Sequence, residues 1–352
     1  MNKRQILRGA ALGCTIPALA LGAAACGGSS SSGGGSGSGS GSTATGSATG
    51  ASSSSSSSGS GSVSGKSVVF VPGATGVGFY NTMAAGIQAA AKKEGMSYST
   101  QGAADFSPSA QTPIVDGVCS KSPSVLIVAP TDPNAMRSSI QRCMNEGVKV
   151  VTVDTGLTNT SGLVSAITSN SIQGGEEAAA LVGKLLHGSG QVATLSLSPT
   201  ATTQVDRIKG FREGLKKFPH ISIVSNQYTQ QAESSSLTTA RSILSSHPGV
   251  KAFFGAAEPN TEGVAQAIGS KKIINIGYDA DPPEVQLLKQ GKISALVIQQ
   301  PAKEGQLAVQ YAADALKGDT SAIKKSVDLS NVLITTAQAN SARAKKYYYT
   351  GS

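Results

Sequence analysis

The sequence predicts an α/β fold arranged as two similar parallel-sheet lobes with a cleft between them. Two observations predict it. From Val68 onward, short apolar runs of strand length alternate with longer segments of helical period, the pattern of βα units on a parallel sheet. The series runs once to Asp154 and then starts again at Gly174, so the chain reads as two α/β halves.

In the first half, Val68–Val71 is an apolar strand. Thr82–Glu94 is a helix with Met83, Ile87 and Ala90 on one face and Gly95 as its stop. Pro113–Ser120 reads as a helix and Val125–Val128 as a buried strand. Pro133–Asn145 is a helix opened by Asp132 and closed by Gly147, and Val148–Val153 is a strand ending at Asp154. In the second half the helices are Gly174–Leu186, Gln204–Lys217, Ser234–Ser246, Thr261–Ile268, Pro283–Gln290 and Glu304–Leu316. They alternate with strands at Val192–Leu197, Ile221–Gln227, Ala252–Gly255, Ile273–Gly277 and Ala295–Ile298. Ligands of such sheets gather outside the carboxyl ends of the strands.

The N-terminal residues point out of the cytoplasm. Lys3, Arg4 and Arg8 form a positive stretch, and Gly9–Leu21 is mostly Ala, Leu, Ile and Gly. That is the length of a secretory signal, too short to span a bilayer comfortably. Small residues lead to Cys26, and the segment resembles a bacterial lipobox, with Ala23 where that pattern favours Leu; the resemblance implies lipid attachment at Cys26 after cleavage at Ala25, and the other reading is plain secretion with an unmodified thiol. Residues 27 to 65 are almost entirely Gly, Ser, Thr and Ala. A tract without apolar periodicity cannot offset its ordering entropy, so it reads as a flexible tether with a reach of roughly 35 Å. Residues 1–25 are therefore expected to be signal peptide, and 26–65 a lipidated cysteine followed by linker.

The formal charge of +9 falls to +6 once Lys3, Arg4 and Arg8 are removed. The remaining cations are scattered, with no basic aromatic stripe for nucleic acid. His187, His220 and His247 are too few and dispersed for a metal site. Cys119 and Cys143 remain after the signal and the anchor, an even pair in an oxidising compartment; a disulfide and two buried thiols both stay open.

The strand ends carry a family likeness. The segments Val69-Phe70-Val71-Pro72, Gly76-Val77-Gly78-Phe79-Tyr80, Ala129-Pro130-Thr131-Asp132, Val151-Thr152-Val153-Asp154, Asp206-Arg207-Ile208-Lys209-Gly210-Phe211, Ile276-Gly277-Tyr278-Asp279 and Gln299-Gln300-Pro301 occur in this order. Together they resemble the ribose-type branch of periplasmic solute-binding proteins. The resemblance implies the type I periplasmic-binding-protein fold, two doubly wound parallel-sheet lobes joined by a three-strand hinge. The crossovers would lie near Ser169–Asn170, Gln300–Pro301 and Asp328–Asn331. Lobe 1 would be 66–168 plus 301–328, and lobe 2 would be 169–300 plus 329–352.

The same resemblance implies a monomeric sugar or polyol receptor without cofactor or catalytic residues, feeding an ABC permease; a membrane sensor is the alternative partner. A sugar presents hydroxyls and an apolar C–H face, which call for carboxylates, amides, a guanidinium and aromatic rings. Phe79 and Tyr80 match the family's aromatic pair, Asp154 its first-lobe acceptor, Arg207 its second-lobe arginine, Asp279 its carboxylate and Gln299 its hinge amide. Each has a plain structural alternative: interlobe core for the aromatics, helix capping for the two Asp residues, a surface ion pair for Arg207 and a satisfied amide for Gln299.

The chain also departs from the pattern. Val77 and Thr155 stand where ribose-type members carry Asn and Arg, and Ala257, followed by Glu258, replaces another Asn. The stretch Pro199–Gln204 resembles rhamnose and autoinducer-2 receptors, which makes Gln204 a further expected contact; Glu258 is added from its position. These losses of donors argue for a ligand other than ribose. The turn Gly73-Ala74-Thr75-Gly76-Val77-Gly78 also resembles the phosphate turn of NAD-dependent enzymes. Against that stand the missing acidic residue after Ser97–Thr100 and the missing Tyr-x-x-x-Lys pair. The tail Lys345–Tyr349 is expected to be a frayed segment on a lobe surface.

Overall fold

The computed structural model describes residues 61–350. The expected signal peptide, Cys26 and the linker up to residue 60 lie outside the described residues. The expected linker ran to residue 65, but the folded unit begins sooner. Val63 is buried in the core. Lys66 N donates to Val63 O at 3.1 Å, and Gly65 N to Gly95 O at 3.0 Å. One valine in a Gly/Ser tract does not stand out in composition, yet it is enough to dock the segment.

Two six-stranded sheets organise these residues. The first contains β1 (Ser67–Val71), β2 (Ser97–Thr100), β3 (Val125–Val128), β4 (Lys149–Val153), β5 (Ser165–Ser169) and β11 (Ser326–Leu329). Its spatial order is β11-β5-β4-β3-β1-β2, parallel throughout. Its helices are α1 (Gly78–Lys93), α2 (Pro108–Cys119), α3 (Arg137–Asn145) and α9 (Pro301–Lys317). The second sheet contains β6 (Ser189–Ser196), β7 (His220–Tyr228), β8 (Val250–Gly255), β9 (Ile274–Tyr278), β10 (Ala295–Ile298) and β12 (Val332–Thr335), in the order β12-β10-β9-β8-β6-β7. It is parallel except for β12, which runs antiparallel to β10 at the edge. Its helices are α4 (Ser171–Leu185), α5 (Thr202–Leu215), α6 (Glu233–Ser246), α7 (Glu258–Ile268) and α8 (Pro282–Lys289), and a short α10 (Ala342–Lys345) follows β12.

Each sheet is covered on both faces. Val71, Leu126, Val128 and Val150 pack against α2 and α3, while Phe70, Ile127 and Val151 face α1 and α9. In the second sheet Phe254, Ile276 and Val297 pack on α4 and α5, and Ala193, Leu195 and Phe253 on α6 and α7. Burial on both faces explains why these strands read as apolar runs rather than alternating ones.

The chain passes between the sheets three times: after β5, after β10 and between β11 and β12. The passages are tied side by side. Asn170 N donates to Leu329 O at 2.8 Å, Asn331 Nδ2 to Asn170 O at 2.7 Å and Gln300 Nε2 to Ser330 O at 2.8 Å.

Several helix starts differ from expectation. α1 begins at Gly78, four residues early, with Val77 as N-cap and no capping side chain. α2 begins at Pro108 because Ser107 Oγ accepts from Ala110 N at 3.4 Å; Pro113 lies inside it. α3 begins late, at Arg137, because the Asp132 carboxylate accepts from Asn134 N and Ala135 N and holds a turn there. α7 begins at Glu258, with Pro259 in its first turn. Cys119, at the end of α2, and Cys143, in α3, form a disulfide with Cα atoms 4.9 Å apart.

Candidate ligand-binding site

The carboxyl ends of both sheets face one cavity of about 410 Å³, counted with its mouth. Phe79, Tyr80, Asp154, Gln204, Arg207, Glu258, Asp279 and Gln299 all line it; these are the eight positions picked from the sequence.

Asp154 follows β4 with φ of 60°, and Asp279 follows β9 with φ of 81°. Non-glycine residues in this left-handed region carry backbone strain, which must be held by surrounding contacts. Asp154 N donates to Glu304 Oε2 at 3.0 Å, and Glu304 Oε1 accepts from Ser169 Oγ at 2.7 Å. Asp279 N donates to Val297 O at 2.9 Å. Asp154 is followed by β5 rather than by a helix, and α8 is capped at Asp281 rather than Asp279, so the capping alternative does not hold.

The side chains are then fixed one against another. Tyr80 OH donates to Asp154 Oδ2 at 2.7 Å. Asp279 Oδ1 accepts from Gln299 Nε2 at 2.6 Å and from Tyr349 OH at 3.0 Å. Asp279 Oδ2 lies 4.0 Å from Arg207 Nη1, so Arg207 meets a buried acid rather than a surface one. Its guanidinium stacks 3.8 Å over the Tyr278 ring and donates to Ala256 O at 2.8 Å. Burial pushes the Asp154 carboxyl up to about 6 against the opposing pull of Arg207 and Tyr80. Burial raises Asp279 as well, again opposed by Arg207.

Unused hydrogen-bonding capacity remains. Gln299 Oε1 and Arg207 Nε are buried and have no protein partner among the described residues. Buried polar groups are rarely left this way unless something else satisfies them. Gln204 spends its carbonyl on Leu197 N at 3.1 Å. Phe79 and Tyr80 meet edge to face at 5.1 Å between centroids. Both rings belong to the apolar cluster joining the lobes, so they serve as interlobe core and cavity wall together.

Arg207 owes its position to two glycines. A Cβ on Gly175 of α4 would strike Arg207 O, and one on Gly210 of α5 would strike Ile172 O. The two backbones touch where α5 must present its guanidinium.

A family model described as "Periplasmic binding protein domain" matches residues 68–320. The chain belongs to the periplasmic binding protein family. Among relatives, a ribose import binding protein of Bacillus subtilis is 31% identical over 242 residues, covering 68% of this chain and 78% of that one. The D-allose-binding periplasmic protein of Escherichia coli is 26% identical over 253 residues, covering 68% and 81%. An ABC transporter solute-binding protein from Agrobacterium vitis, bound with alpha-D-tagatopyranose, superposes with a TM-score of 0.78 at 26% identity, covering 81% of this chain and 99% of that one. One from Burkholderia graminis, in complex with D-arabinose, gives 0.75 at 26%, covering 79% and 98%.

In this periplasmic binding protein the glycine turn after β1 has a local explanation. A Cβ on Gly73 would meet the Tyr80 hydroxyl and the Phe106 ring, and one on Gly78 would coincide with the Asp281 carboxylate. The room these glycines leave is filled by side chains, so it does not open onto a phosphate.

Sequence reasoning missed Phe106, Thr203, Gln231 and Tyr349. Phe106 lies just past β2, where the strand-end rule would have found it. Tyr349 overturns the expectation of a frayed tail. It is 5% exposed, its N–H donates to Ala280 O at 3.1 Å, and its ring meets Phe79 at 5.8 Å. Its hydroxyl also accepts from Gln299 N at 3.2 Å. The run of three tyrosines in a chain with 4% aromatic residues was the available signal.

Proposed function

We propose that this protein is an extracytoplasmic receptor that captures a sugar or sugar-like polyol between its lobes and delivers it to an ABC importer, catalysing nothing itself. The observation that carries the reading is the cavity wall. It combines carboxylates, an amide and a guanidinium with an aromatic pair, and both sheets contribute to it. That set matches a ligand with many hydroxyls and an apolar face. The unpartnered Gln299 Oε1 and Arg207 Nε suit hydroxyl groups, which donate and accept. The sugar-binding names of the relatives support the same class.

The lobes, 66–168 plus 301–328 and 169–300 plus 329–352, are the bodies that close; ligand contacts from both stabilise the closed state. Cys26 carries a lipid, and the linker lets the monomeric receptor work beside its permease. Among the described residues no helix is long and apolar enough to cross a membrane.

The test is a thermal-shift screen of the chain from Ser58 onward, against pentoses, hexoses, deoxysugars, polyols and NAD. Ligand at a hundred times its Kd should add about 2.7 kcal/mol of stability. A sugar or polyol hit abolished by Asp154→Asn and by Arg207→Ala is the expected result. A shift with NAD and with no sugar or polyol would sink the reading.

A further inference from the structure

The cavity holds more carboxylates than its guanidinium can balance. Asp154, Asp279 and Glu258 line the wall, and Arg207 is the cation that lines it with them. The field of Arg207 acts on Asp154 and Asp279. Glu258, the first residue of α7, stands apart: the charges acting on it, Asp279 and Glu233, are both acidic, and Asp281 shares a hydrogen bond with it.

More acid lies behind it. Asp281, at the N-cap of α8, is 3% exposed, and the side chain its carboxyl shares a hydrogen bond with is the acidic Glu258. Glu262, one turn along α7, is 8% exposed with Oε1 unpartnered. Glu284 is fully buried; its Oε2 accepts from Asp281 N at 3.3 Å and its Oε1 has no partner among the described residues. The positive ends of α7 and α8 offset part of this charge, but four carboxyl groups converge without a basic side chain among them. Buried carboxylates of this kind are costly unless a cation or hydrogen-bond donors reach them.

The cluster meets solvent through Glu258, which faces the cavity, so the balancing charge can enter with the ligand. Among the described residues no group of three or more acidic, His or Cys side chains is arranged to hold a metal ion. The wall carries the Phe79, Tyr80 and Phe106 rings, which favour an organic cation with C–H surface beside its charge.

We propose that the ligand is an aminated sugar or polyol, its ammonium group held by Glu258 while its hydroxyls are read by Asp154, Asp279, Gln299 and Arg207. This rests on the receptor reading and narrows it from sugars in general to those bearing a basic nitrogen. Glu258 is then the residue that sets specificity; Asp281 and Glu262 behind it, their carboxyls pushed up by burial, bring no cation to compete with the ammonium group.

The test is isothermal titration calorimetry at pH 7 on the chain from Ser58 onward. The probes are 2-amino-2-deoxy-D-glucose, 2-amino-2-deoxy-D-galactose, amino-deoxy pentoses and 1-amino-1-deoxy-D-sorbitol. Each is paired with its parent sugar or polyol and with its N-acetyl form, which keeps the substituent and removes the charge. A charge-assisted hydrogen bond in a desolvated site predicts an amine preference of roughly tenfold to a hundredfold over both controls. Glu258→Gln should bring that ratio close to one, and Glu258→Asp should keep most of it; melting curves of both variants check that they fold. Neutral sugars that bind as well as the amines, or a preference that survives Glu258→Gln, overturn the proposal while the receptor reading stands. Silence from every amine and every neutral sugar overturns both.

Discussion

At the scale of single residues, the cavity wall and the side chains packed behind it concentrate carboxyl groups held above their ordinary range. Burial is the first cause in each case. Asp154 is pushed up to about 6, Glu258 to about 7, Glu304 to about 8 and Asp281 to about 9. A raised folded-state pKa means that the folded chain binds protons the unfolded chain has released. The stability contributed is therefore present below about pH 4 and lost as pH climbs through the folded values. For Asp154 alone, the rise from 3.8 to about 6 corresponds to about 3 kcal/mol. Asp132, half-buried, and Asp319, exposed, are shifted downward by hydrogen bonds from neighbouring groups, and near solvent such shifts count for little. The unliganded protein is thus expected to melt at a higher temperature at pH 5 than at pH 8.5. Calorimetric melting points that stay flat or rise across that interval would contradict this account of the carboxyl groups.

At the scale of elements, most of the fold was legible because buried parallel strands and amphipathic helices leave strong periods. β10 agrees residue for residue, and α5 and α6 agree to within two residues at each end. The misses are local. β5, with its alternating burial, follows a loop rather than a helix and so interrupts the βα rhythm. α1 and α7 begin early, without a capping side chain to announce them. Those two starts matter most for the site, because they put Phe79, Tyr80 and Glu258 in first turns rather than in loops. Helix contact has a measurable consequence where α4 meets α5. Gly210→Ala would drive a methyl group into Ile172 O, and overpacking of this kind costs about 1–3 kcal/mol. The same shift displaces Arg207, three residues earlier on α5. The expected result is a lower melting point together with weaker ligand binding; an unchanged Kd would show that the helix contact does not set the guanidinium's place.

At the scale of the whole molecule, the two halves were readable from the restart of the pattern, but their meeting was not. The eight cavity-lining residues expected from the sequence come from strand ends and helix starts scattered between residues 79 and 299, and strand-end position plus resemblance pointed to them. Tyr349 lies fifty residues past Gln299 and returns to it through tertiary contact alone, which periodicity cannot register. The contact between Gly78 and Asp281 is of the same kind. Gly78 opens α1 on the first sheet's side and Asp281 opens α8 on the second, and a Cβ on Gly78 would occupy the place of the Asp281 carboxylate. The glycine is not required by its own backbone, since the first turn of a helix accepts alanine readily. It is required by the approach of the opposite lobe. Gly78→Ala should leave each lobe folded, with an unliganded melting point close to that of the parent, while penalising the closed arrangement. Apparent affinity falls with the fraction of molecules able to close, so a Kd weaker by about tenfold or more is expected. Solution scattering of the liganded variant should show a larger radius of gyration. Asp281→Ala in the same chain removes the colliding group and should restore part of the lost affinity. Full affinity in Gly78→Ala alone would mean that the lobes grip ligand without meeting at this point.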